Sequence, residues 1–576
     1  MSQFGIKDVY KQFTHDQDKM VPPAETVSHF KQRLQESQLN ILTETQRIDS
    51  GRLNIPVFFS VCGHEAQRVI GTRKQMGKGA SIEQAEASAV MELAERYSFF
   101  SFLQDSKNMT VGPYSKMKQK AISFQDIARS VHDQSDDLPL LESIFSDIPL
   151  FWTQAYNLSK ETQILIPINW FYMINEFNGP SAGNCIEEAL IQGICEVIER
   201  HVSSIISHER LSAPLIDVSQ ANNDHVLDML HNYKTAGIQL YISDFTMNTG
   251  IPTISIVAMD PSTFPQKSEI VWTAGSATSP EKALSRALTE VAQLAGDFNS
   301  GSNYEASGLP KIKSLQDIHY LIHSPQKIFL SDLVNISDNN FKTEIMRCIE
   351  ALTQIDLDIF YVNTTHPELQ IPACYTIIPG AHFRERAKAG GVGMFLAKII
   401  VDSFKAKEAI QKLIEMDTKL PGKYYIQFYL GQTYLEMEQV DRAIACFQKA
   451  LALDPTPEDR VAIEVFMASG YSEKGMYKDA LQVLSSSEKI DQERTDIYNL
   501  KGFCHFKLKE HEKAIQCFEK VIQLNPGSAI DYANIGSNYR DMGNIPLAIQ
   551  YYEKALLLDP TITFAKDNLM TLLSKK

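Results

Sequence analysis

The C-terminal part of the chain repeats itself, and this repetition constrains the fold more than any other feature of the 576 residues. Small residues recur at positions 431, 468, 502 and 536, which gives a period of 34 residues with one short insertion. An alanine follows each small residue by twelve positions, and four positions later stands a large apolar side chain: Phe447, Leu484, Phe518 and Tyr552. This spacing predicts pairs of antiparallel helices whose backbones approach closely.

Proline ends three of the four units. Pro455, Pro526 and Pro560 stand in the segments KALALDP, KVIQLNP and KALLLDP, where they would stop a second helix. The pattern resembles the tetratricopeptide repeat, and four units exceed the roughly three that bury a continuous core. We therefore expect an all-α tetratricopeptide-repeat solenoid over residues 421–571. Such repeats imply a peptide or a partner protein on their concave face, but they specify no chemistry.

The charge of the chain excludes some partners. The formal net charge is −15, and residues 421–576 contribute only −3 of it. A nucleic-acid surface is normally basic, and no stretch is long and apolar enough to span a membrane. The sequence starts with polar residues where a signal peptide needs an apolar run, so we expect a cytoplasmic protein with neither nucleic acid nor membrane as partner. The eight cysteines contain no C-x-x-C pair, which argues against a zinc site or a disulfide framework.

Upstream of the repeats the sequence mixes two periodicities. Runs with period two predict strands at 55–63, 237–245, 252–260, 268–277, 357–363 and 371–379. Helices are predicted at 24–38, 81–102, 185–207, 224–235, 280–297 and 342–354, with long loops at 105–120 and 298–312. The irregular order of strands and helices indicates a mixed α/β (α+β) domain. We assign this domain to residues 1–405, a connecting segment to 406–420 and the repeats to 421–576.

The segment GTRKQMGKGAS at residues 71–81 has some features of a phosphate-binding P-loop. However, five residues rather than four separate Gly71 from Gly77, and Gly79 stands where a hydroxyl residue should follow the lysine. We therefore reject a Walker-A nucleotide site. Gly77 and Gly79 are instead expected to form a tight turn into the next helix.

Two predicted helices carry the same charged motif in an apolar setting. MELAER at residues 91–96 and CEVIER at 195–200 both contain E-x-x-E-R. Residues three apart share a helix face, so Glu92 projects with Glu95, and Glu196 projects with Glu199. Buried carboxylates cost several kcal/mol each unless something pairs with them.

A third helix repeats this arrangement and leaves two interpretations. The segment EKALSRALTEVAQLAG places Arg286, Glu290 and Gln293 on one face. Each glutamate could pair with a neighbouring arginine in an ordinary ion-pair network. Alternatively, the carboxylates converge on divalent cations that bridge substrate phosphates, and the arginines face the phosphate oxygens. The spacing alone establishes only an acidic cluster capable of binding a metal.

Taken together, the motifs resemble the YcaO family. SAVMELAER at 88–96, GNCIEEA at 183–189 leading into EVIER at 196–200, and RALTEVAQ at 286–293 are similar to its three nucleotide-binding motifs, in the same order. The segments PPAET, GRLNIPV, GKGAS and NGPSAGN add to a resemblance that covers roughly residues 15–400. His201 stands where an aspartate commonly follows the second E-R, and this departure need not disturb the site.

The resemblance implies ATP bound without a P-loop, with Mg2+ ions that bridge its phosphates. The implied metal ligands are Glu92, Glu95, Glu196, Glu199 and Glu290. The implied ATP contacts are Ser88, Asn184, Glu188, Arg200, Arg286 and Glu290. Arg96 is assigned only to orienting the glutamates. Interposed metal ions also explain how an acidic domain binds an anionic nucleotide.

The reaction implied by the resemblance is activation of a peptide backbone amide. A Cys, Ser or Thr side chain, or external sulfide, adds to the amide carbonyl, and ATP phosphorylates the resulting oxygen. Loss of phosphate then leaves an azoline or a thioamide. Such catalysis rests on positioning and charge neutralisation, so no residue of the chain is assigned as a catalytic nucleophile.

Several functions remain open within this resemblance. Azoline-forming members typically end in a proline-rich tail, whereas this sequence ends MTLLSKK. We therefore favour thioamidation, or assistance to ribosomal-protein methylthiolation, since the repeats are similar to those of the bacterial methylthiotransferase accessory factor. The alternatives are an azoline-forming cyclodehydratase, a non-catalytic repeat adaptor with an ATP-sensing domain, and an ATP-hydrolysing chaperone. The expected partners are a protein or peptide substrate and a protein docked on the repeats, and the family resemblance also allows a homodimer.

Overall fold

A computed structural model describes residues 5–49, 51–72, 74–265, 268–295, 298, 312, 314–383 and 390–574 of the chain. The chain divides into two compact units. The first comprises Met1–Leu138 and Phe145–Arg386, and the second comprises Pro139–Ile144 and Ala387–Lys576. The boundaries at residues 405 and 421 were predicted for domains that fold independently, which compact units do not test. They therefore stay a prediction.

The strands all belong to the first unit. In chain order they are β1 (Leu42–Arg47), β2 (Val57–Cys62), β3 (Lys74–Lys78), β4 (Thr110–Pro113), β5 (Pro149–Asn157), β6 (Thr162–Pro167), β7 (Pro180–Ala182), β8 (Leu215–Asp217), β9 (Gln239–Asp244), β10 (Thr253–Met259), β11 (Val271–Ser276), β12 (Lys327–Phe329), β13 (Phe360–Asn363) and β14 (Ala373–Ile377).

Twelve helices accompany these strands within the described residues. They are α1 (Pro23–Ser37), α2 (His64–Ile70), α3 (Ile82–Gln104), α4 (Tyr114–Met117), α5 (Phe124–Arg129), α6 (Leu138–Phe145), α7 (Ile168–Asn175), α8 (Ile186–Glu209), α9 (Asp224–Thr235), α10 (Pro280–Ala295), α11 (His319–Ile322) and α12 (Phe341–Thr353). Most of α6 is part of the second unit.

The described strands form three sheets. Their orders are β1-β2-β3, β11-β10-β9-β8-β12 and β4-β5-β13-β14-β7, and β6 also pairs with β5. Neighbouring strands are antiparallel except for β8 and β12, which run parallel. This architecture confirms the predicted mixed α/β class of the first domain.

The six predicted strands and six predicted helices all form, although the ends of the strands shift by up to three residues. The last two residues of the predicted helix 280–297 and most of the predicted loop 298–312 lie outside the described residues. The prediction of a long loop at 105–120 is wrong, because β4 and α4 occupy much of it. β4 has only four residues and forms by pairing with β5, which lies about forty residues further along the chain.

The expected tight turn at Gly77 is also wrong. Gly77 lies inside β3, which pairs with β2 along its whole length. A Cβ atom at Gly77 would collide with the backbone of Ala85 and Ala89 in α3. Gly77 therefore lets a strand pack directly onto a helix, whereas Gly79 lies in the three-residue connection between β3 and α3.

Helices α3 and α8 run through the interior of the first unit. Ser81 caps α3 by accepting a hydrogen bond from the backbone N–H of Gln84, and Cys185 caps α8 through its Sγ atom. Fifteen of the 24 residues of α8 are buried, including Glu187, Glu188 and Glu199. The charged motif residues thus lie on helices with little contact to solvent.

The described residues of the second unit are helical apart from their connecting turns. Its helices are α13 (Val392–Ser403), α14 (Ala406–Lys419), α15 (Tyr424–Glu436), α16 (Val440–Leu451), α17 (Pro457–Glu473), α18 (Tyr477–Ile490), α19 (Thr495–Lys507), α20 (His511–Leu524), α21 (Ala529–Asp541), α22 (Ile545–Leu558) and α23 (Thr563–Leu573).

Helices α15 to α22 form the four predicted pairs. The small residue of the first helix faces the large residue of the second, since a Cβ atom at Gly502 would lie 2.7 Å from the ring of Phe518. The same relation holds between Gly536 and Tyr552. All four repeat alanines, Ala443, Ala480, Ala514 and Ala548, are fully buried. The predicted tetratricopeptide packing is confirmed.

None of the described helices combines the length and the apolar character that a membrane crossing requires.

Candidate functional site

Helices α3, α8 and α10 bring the three charged motifs to one region of the first unit. Strand β3 packs against both α3 and α10, and β7 packs against both α3 and α8. A cavity opens between these elements. Six of the predicted site residues line it: Ser88, Glu92, Glu95, Asn184, Glu188 and Arg286.

The first E-x-x-E-R motif forms an internal charge cluster on α3. Arg96 lies 3.7 Å from Glu92 and 3.4 Å from Glu95, and its guanidinium packs over the ring of Phe177. Burial raises the pKa of Glu95 well above its usual value; Arg96 opposes this shift, and Glu92 and Glu196 add to it. Glu95 on α3 therefore feels the charge of Glu196 on α8.

The second motif lies deeper. Burial raises the pKa of Glu196, while Arg200 and Arg96 lower it and Glu199 raises it. Glu199 accepts a hydrogen bond of 3.2 Å from the backbone N–H of Ser276 at the end of β11. These contacts tie α8 to both the first motif and the five-stranded sheet that contains β11.

The third motif completes the cluster through α10. Arg286 donates a 2.6 Å hydrogen bond to the amide oxygen of Gln192 on α8, while its Nε atom is buried without a partner among the described residues. Glu290 forms an ion pair with Lys78 of β3. Burial lowers the pKa of Lys78 to about 7, assisted by Arg286, while Glu199 and Glu92 act in the opposite direction.

Glu188 and Asn184 bind the N-terminal segment. The Glu188 carboxylate accepts hydrogen bonds from the backbone N–H of Met20 at 2.9 Å and from the Asn184 amide at 3.2 Å. Lys19 lies 3.3 Å from the same carboxylate, and Thr26 donates to Asn184. The segment PPAET, which supported the family resemblance, starts helix α1, whose Pro23 and Thr26 line the cavity.

Seven of the ten predicted residues belong to one charged cluster, and the other three, Ser88, Asn184 and Glu188, line the cavity. Five carboxylates, those of Glu92, Glu95, Glu196, Glu199 and Glu290, share it with four cationic side chains, those of Lys78, Arg96, Arg200 and Arg286. The ion-pair interpretation therefore describes the structure, since arginines and Lys78 lie between the carboxylates. This arrangement does not exclude metal binding, because cations can replace one another at an anionic cluster.

The chemistry of the cluster fits Mg2+, whose preferred ligands are carboxylate oxygens. Within the described residues, however, no three acidic, histidine or cysteine side chains already stand around a common point. The cavity holds about 170 Å³, less than the roughly 300–1,000 Å³ typical of ligand pockets. Glu290, one of the predicted metal ligands, is held in its ion pair with Lys78.

Sequence reasoning missed several residues of this site. Lys78 and Gly79 line the cavity, although a P-loop was rejected at this segment and GKGAS was used only as part of the family resemblance. Lys19 and Gln192 also line it, and Gln192 contacts Arg286 directly. Gln192 lies four residues before Glu196 on α8, so helical spacing could have identified it.

The fold and the site define a protein in which a charged, P-loop-free cleft in an α+β unit is joined to tetratricopeptide repeats. The family model described as "YcaO cyclodehydratase, ATP-ad Mg2+-binding" matches residues 76–382, and tetratricopeptide models match 424–457, 495–528 and 532–562. The chain belongs to the YcaO family. ATP and Mg2+, the predicted cofactors, are thereby confirmed as the ligands of its family.

Relatives and a solved structure agree with this assignment. An uncharacterized protein of Methanothermobacter thermautotrophicus is 28% identical over 62% of this chain and 94% of its own length. The ribosomal protein S12 methylthiotransferase accessory factor YcaO of Escherichia coli is 27% identical over 53% of this chain and 56% of its own length. YcaO from Methanopyrus kandleri, solved with AMPPCP and Mg2+, has a TM-score of 0.50 at 20% identity, over 65% of this chain and 95% of that one.

Proposed function

We propose that the chain uses ATP and Mg2+ to activate a peptide backbone amide by O-phosphorylation in a post-translational modification. The observation that carries this proposal is the convergence of three helices, each bearing glutamate and arginine, on one cleft. Membership of a family described as ATP- and Mg2+-binding supports it, as does the fold shared with the Methanopyrus protein bound to AMPPCP and Mg2+.

The charges of the cleft suit a polyphosphate with bound metal. In this proposal Glu92, Glu95, Glu196, Glu199 and Glu290 hold Mg2+. Ser88, Asn184, Glu188, Arg200, Arg286 and Glu290 contact the nucleotide. The buried Nε atom of Arg286 supplies a hydrogen-bond donor that the protein itself does not use in the described residues. Bound Mg2+ supplies positive charge that neutralises the phosphate oxygens and the carboxylates together.

The amide activation in this proposal is the reaction that the family resemblance implies. A nucleophile adds to the amide carbon, and the carbonyl oxygen takes the γ-phosphoryl group of ATP. Departure of that oxygen as inorganic phosphate leaves the new bond to carbon, and ADP is released. With sulfide as nucleophile the product is a thioamide, and with a neighbouring Cys, Ser or Thr it is an azoline. The chain contributes positioning and electrostatic stabilisation rather than a nucleophile of its own.

Thioamidation, or assistance to ribosomal-protein methylthiolation, is the outcome that we favour. The similarity to the Escherichia coli accessory factor supports the second of these. The description of the family as a cyclodehydratase favours azoline formation as the second candidate. Products of the two reactions differ in mass: exchange of oxygen for sulfur adds about 16 Da, whereas cyclodehydration removes about 18 Da from the peptide, so mass spectrometry separates them.

The first test is calorimetric titration of the protein with ATP in the presence and absence of Mg2+, with Glu199→Gln for comparison. The Gln amide oxygen can still accept from Ser276, so the fold should persist while a charged ligand is lost. We expect Mg2+-dependent binding that is weaker by about tenfold or more in the variant, since a charge-assisted contact is worth roughly 1.5–3 kcal/mol.

The control for this experiment is Glu209→Gln, at the exposed end of the same helix. It should bind ATP like the unmodified protein. Absence of ATP binding in the unmodified protein would contradict the proposal and favour a non-catalytic repeat adaptor. ATP hydrolysis that ignores every added peptide would instead indicate a chaperone-type ATPase.

A further inference from the structure

A second cavity lies in the first unit, at the C-terminal end of α3. It holds about 640 Å³, which is within the roughly 300–1,000 Å³ of ligand pockets. Its walls are formed by the end of α3, by β4, β5 and β6, and by residues 363–367 after β13. It shares no lining residue with the cavity between the three charged motifs.

This second cavity opens at a break in a sheet. β6 pairs with β5 along one edge, so β4 and β13 must both pair with its other edge. On that edge, pairing with β13 ends at Tyr156 and pairing with β4 begins at Trp152. Within the described residues, positions 153–155 therefore face no strand partner there. A short open edge of this kind can accept one more extended chain.

Two hydroxyl groups in the wall have no hydrogen-bond partner. Ser98 is fully buried, Thr364 is 1% exposed, and neither side-chain oxygen is satisfied within the described part of the chain. Both residues line the second cavity. An unsatisfied buried hydroxyl costs about 1–3 kcal/mol, which a ligand with polar groups can recover.

The lining indicates an uncharged ligand. Its titratable side chains are Asp105, Lys107 and His366. The Asp105 carboxylate accepts the backbone N–H of Lys107, and the Nδ1 atom of His366 accepts backbone N–H groups of residues 368 and 369. The remaining polar lining consists of hydroxyl and amide groups, which suit a peptide backbone.

One stripe of α3 connects the two cavities. Gln84, Ser88, Met91 and Glu95 line the charged cavity, and Ser98, Phe102 and Asp105 line the second one. Steps of three and four residues keep the first six on one face of α3, and Asp105 directly follows the helix. The two cavities therefore lie along the same face of α3, with the fully buried Ser98 between Glu95 and Phe102.

We propose that the second cavity binds an extended segment of the peptide substrate. The segment adds to the open edge of β5 at residues 153–155, and its polar groups bond to Ser98 and Thr364. This inference rests on the proposed function only in taking the bound peptide to be the substrate whose amide is activated. Recognition is through the backbone, so it depends little on side-chain sequence.

The test uses a capped hexapeptide, acetyl-(Gly-Thr)₃-amide, and an analogue in which ester linkages replace its amides. Calorimetric titration of the full-length protein without nucleotide should show binding of the peptide and binding of the ester analogue that is weaker by tenfold or more. The ester lacks the backbone N–H donors that pair with a strand edge.

Variants locate the binding. Ser98→Ala with Thr364→Val removes both hydroxyls without adding bulk, so peptide affinity should fall about tenfold while thermal stability is unchanged or higher. Ser101→Trp fills the second cavity and should abolish binding, whereas Ser115→Trp, at an exposed position outside the cavity, should not. All four substitutions leave the charged cavity intact, so Mg2+-dependent ATP binding should be retained.

Three results would overturn the inference. The first is that the unmodified protein does not bind the hexapeptide. The second is that it binds the peptide and the ester analogue equally well. The third is that the hydroxyl-free variant and Ser101→Trp both bind the peptide as tightly as the unmodified protein does. If millimolar glucose displaced the bound peptide and no peptide analogue did, the cavity would be assigned to small polyols instead. Failure of ATP binding with intact peptide binding would contradict the proposed function and leave this inference standing.

Discussion

Individual charges decide the character of the cleft. Glu95 and Glu196 come from different helices, yet the charge of Glu196 raises the pKa of Glu95, and burial raises the pKa of both carboxyl groups. The neighbouring Arg96 and Arg200 offset this cost in the absence of a ligand. Because the balance depends on close cations, removal of one arginine should destabilise the cleft more than removal of an exposed charge.

His201 gives a residue-level prediction of pH dependence. Burial lowers the pKa of His201 to about 3, and its Nδ1 atom accepts the backbone N–H of His382. The pKa of an unfolded histidine is about 6.5, so the unfolded chain binds this proton more readily. The contribution of neutral His201 is present above pH 6.5 and is lost as the pH falls towards 3. Between pH 6.5 and 5 the loss should reach about 2 kcal/mol.

The measurement is the free energy of unfolding at several pH values. His201→Gln cannot take up the proton, so its stability should decline less between pH 7.5 and 5, by about 2 kcal/mol. The exposed His29→Gln on α1 is the control and should decline like the unmodified protein. Parallel curves for the protein and His201→Gln would contradict the assignment.

Site residues could be predicted from the sequence where they belong to a recognisable motif. The ten site residues came from three sequence motifs, and the structure brings them together. Lys78 and Lys19 were not predicted, because their proximity to the cluster arises from β3 and from the N-terminal segment, which are distant in sequence. Whether the ten residues bind metal and nucleotide as assigned stays a prediction.

The length of a helix or strand determined whether the sequence could predict it. Helices α3, α8 and α10 were predicted nearly to their ends, because each carries a long periodic pattern. Strands such as β4, β7 and β8 have three or four residues and no readable alternation. They form through pairing with distant partners, so local sequence could not indicate them.

A helix pair offers a prediction at this scale. Gly502 of α19 lies against the ring of Phe518 of α20, with no room for a side chain. Gly502→Val should force the helices apart and lower stability by about 1–3 kcal/mol. Amide hydrogen exchange should show the lost protection in α19 and α20 first.

A second substitution checks the cause. Phe518→Ala creates space, so in the double variant the added cost of Gly502→Val should largely disappear. If the two costs simply add, the ring contact does not explain the glycine. Because valine also forms helices less readily than alanine, Gly502→Ala serves as a milder comparison.

At the scale of the whole molecule, chemistry and repetition belong to different units. Every predicted site residue lies in the first unit, and all four repeats lie in the second. The overall class of each unit was predictable, because the repeat period and the mixed periodicity are properties of long stretches. The places where strands meet were not, since they depend on the topology of the sheets.

Deletion of residues 421–576 tests this division. Because no predicted nucleotide contact lies in that region, Mg2+-dependent ATP affinity should stay within about twofold of the full-length value. Modification of a protein substrate should fall by tenfold or more if the repeats dock it. Circular dichroism should first show that the shortened chain is folded. Full activity on the protein substrate would contradict a docking role for the repeats.

Helix α3 lines both cavities, so it also fixes the distance between them. Glu95 and Phe102 are two turns apart on α3, which corresponds to about 10 Å along a rigid axis, or about three residues of extended chain. Under the proposal that the second cavity holds the substrate, a peptide anchored beside Phe102 would offer the charged cluster only the amide about three residues away. Helix α3 would then set the distance between anchor and reacting amide, and we expect the site of modification to depend on the number of residues from the anchor rather than on side-chain identity.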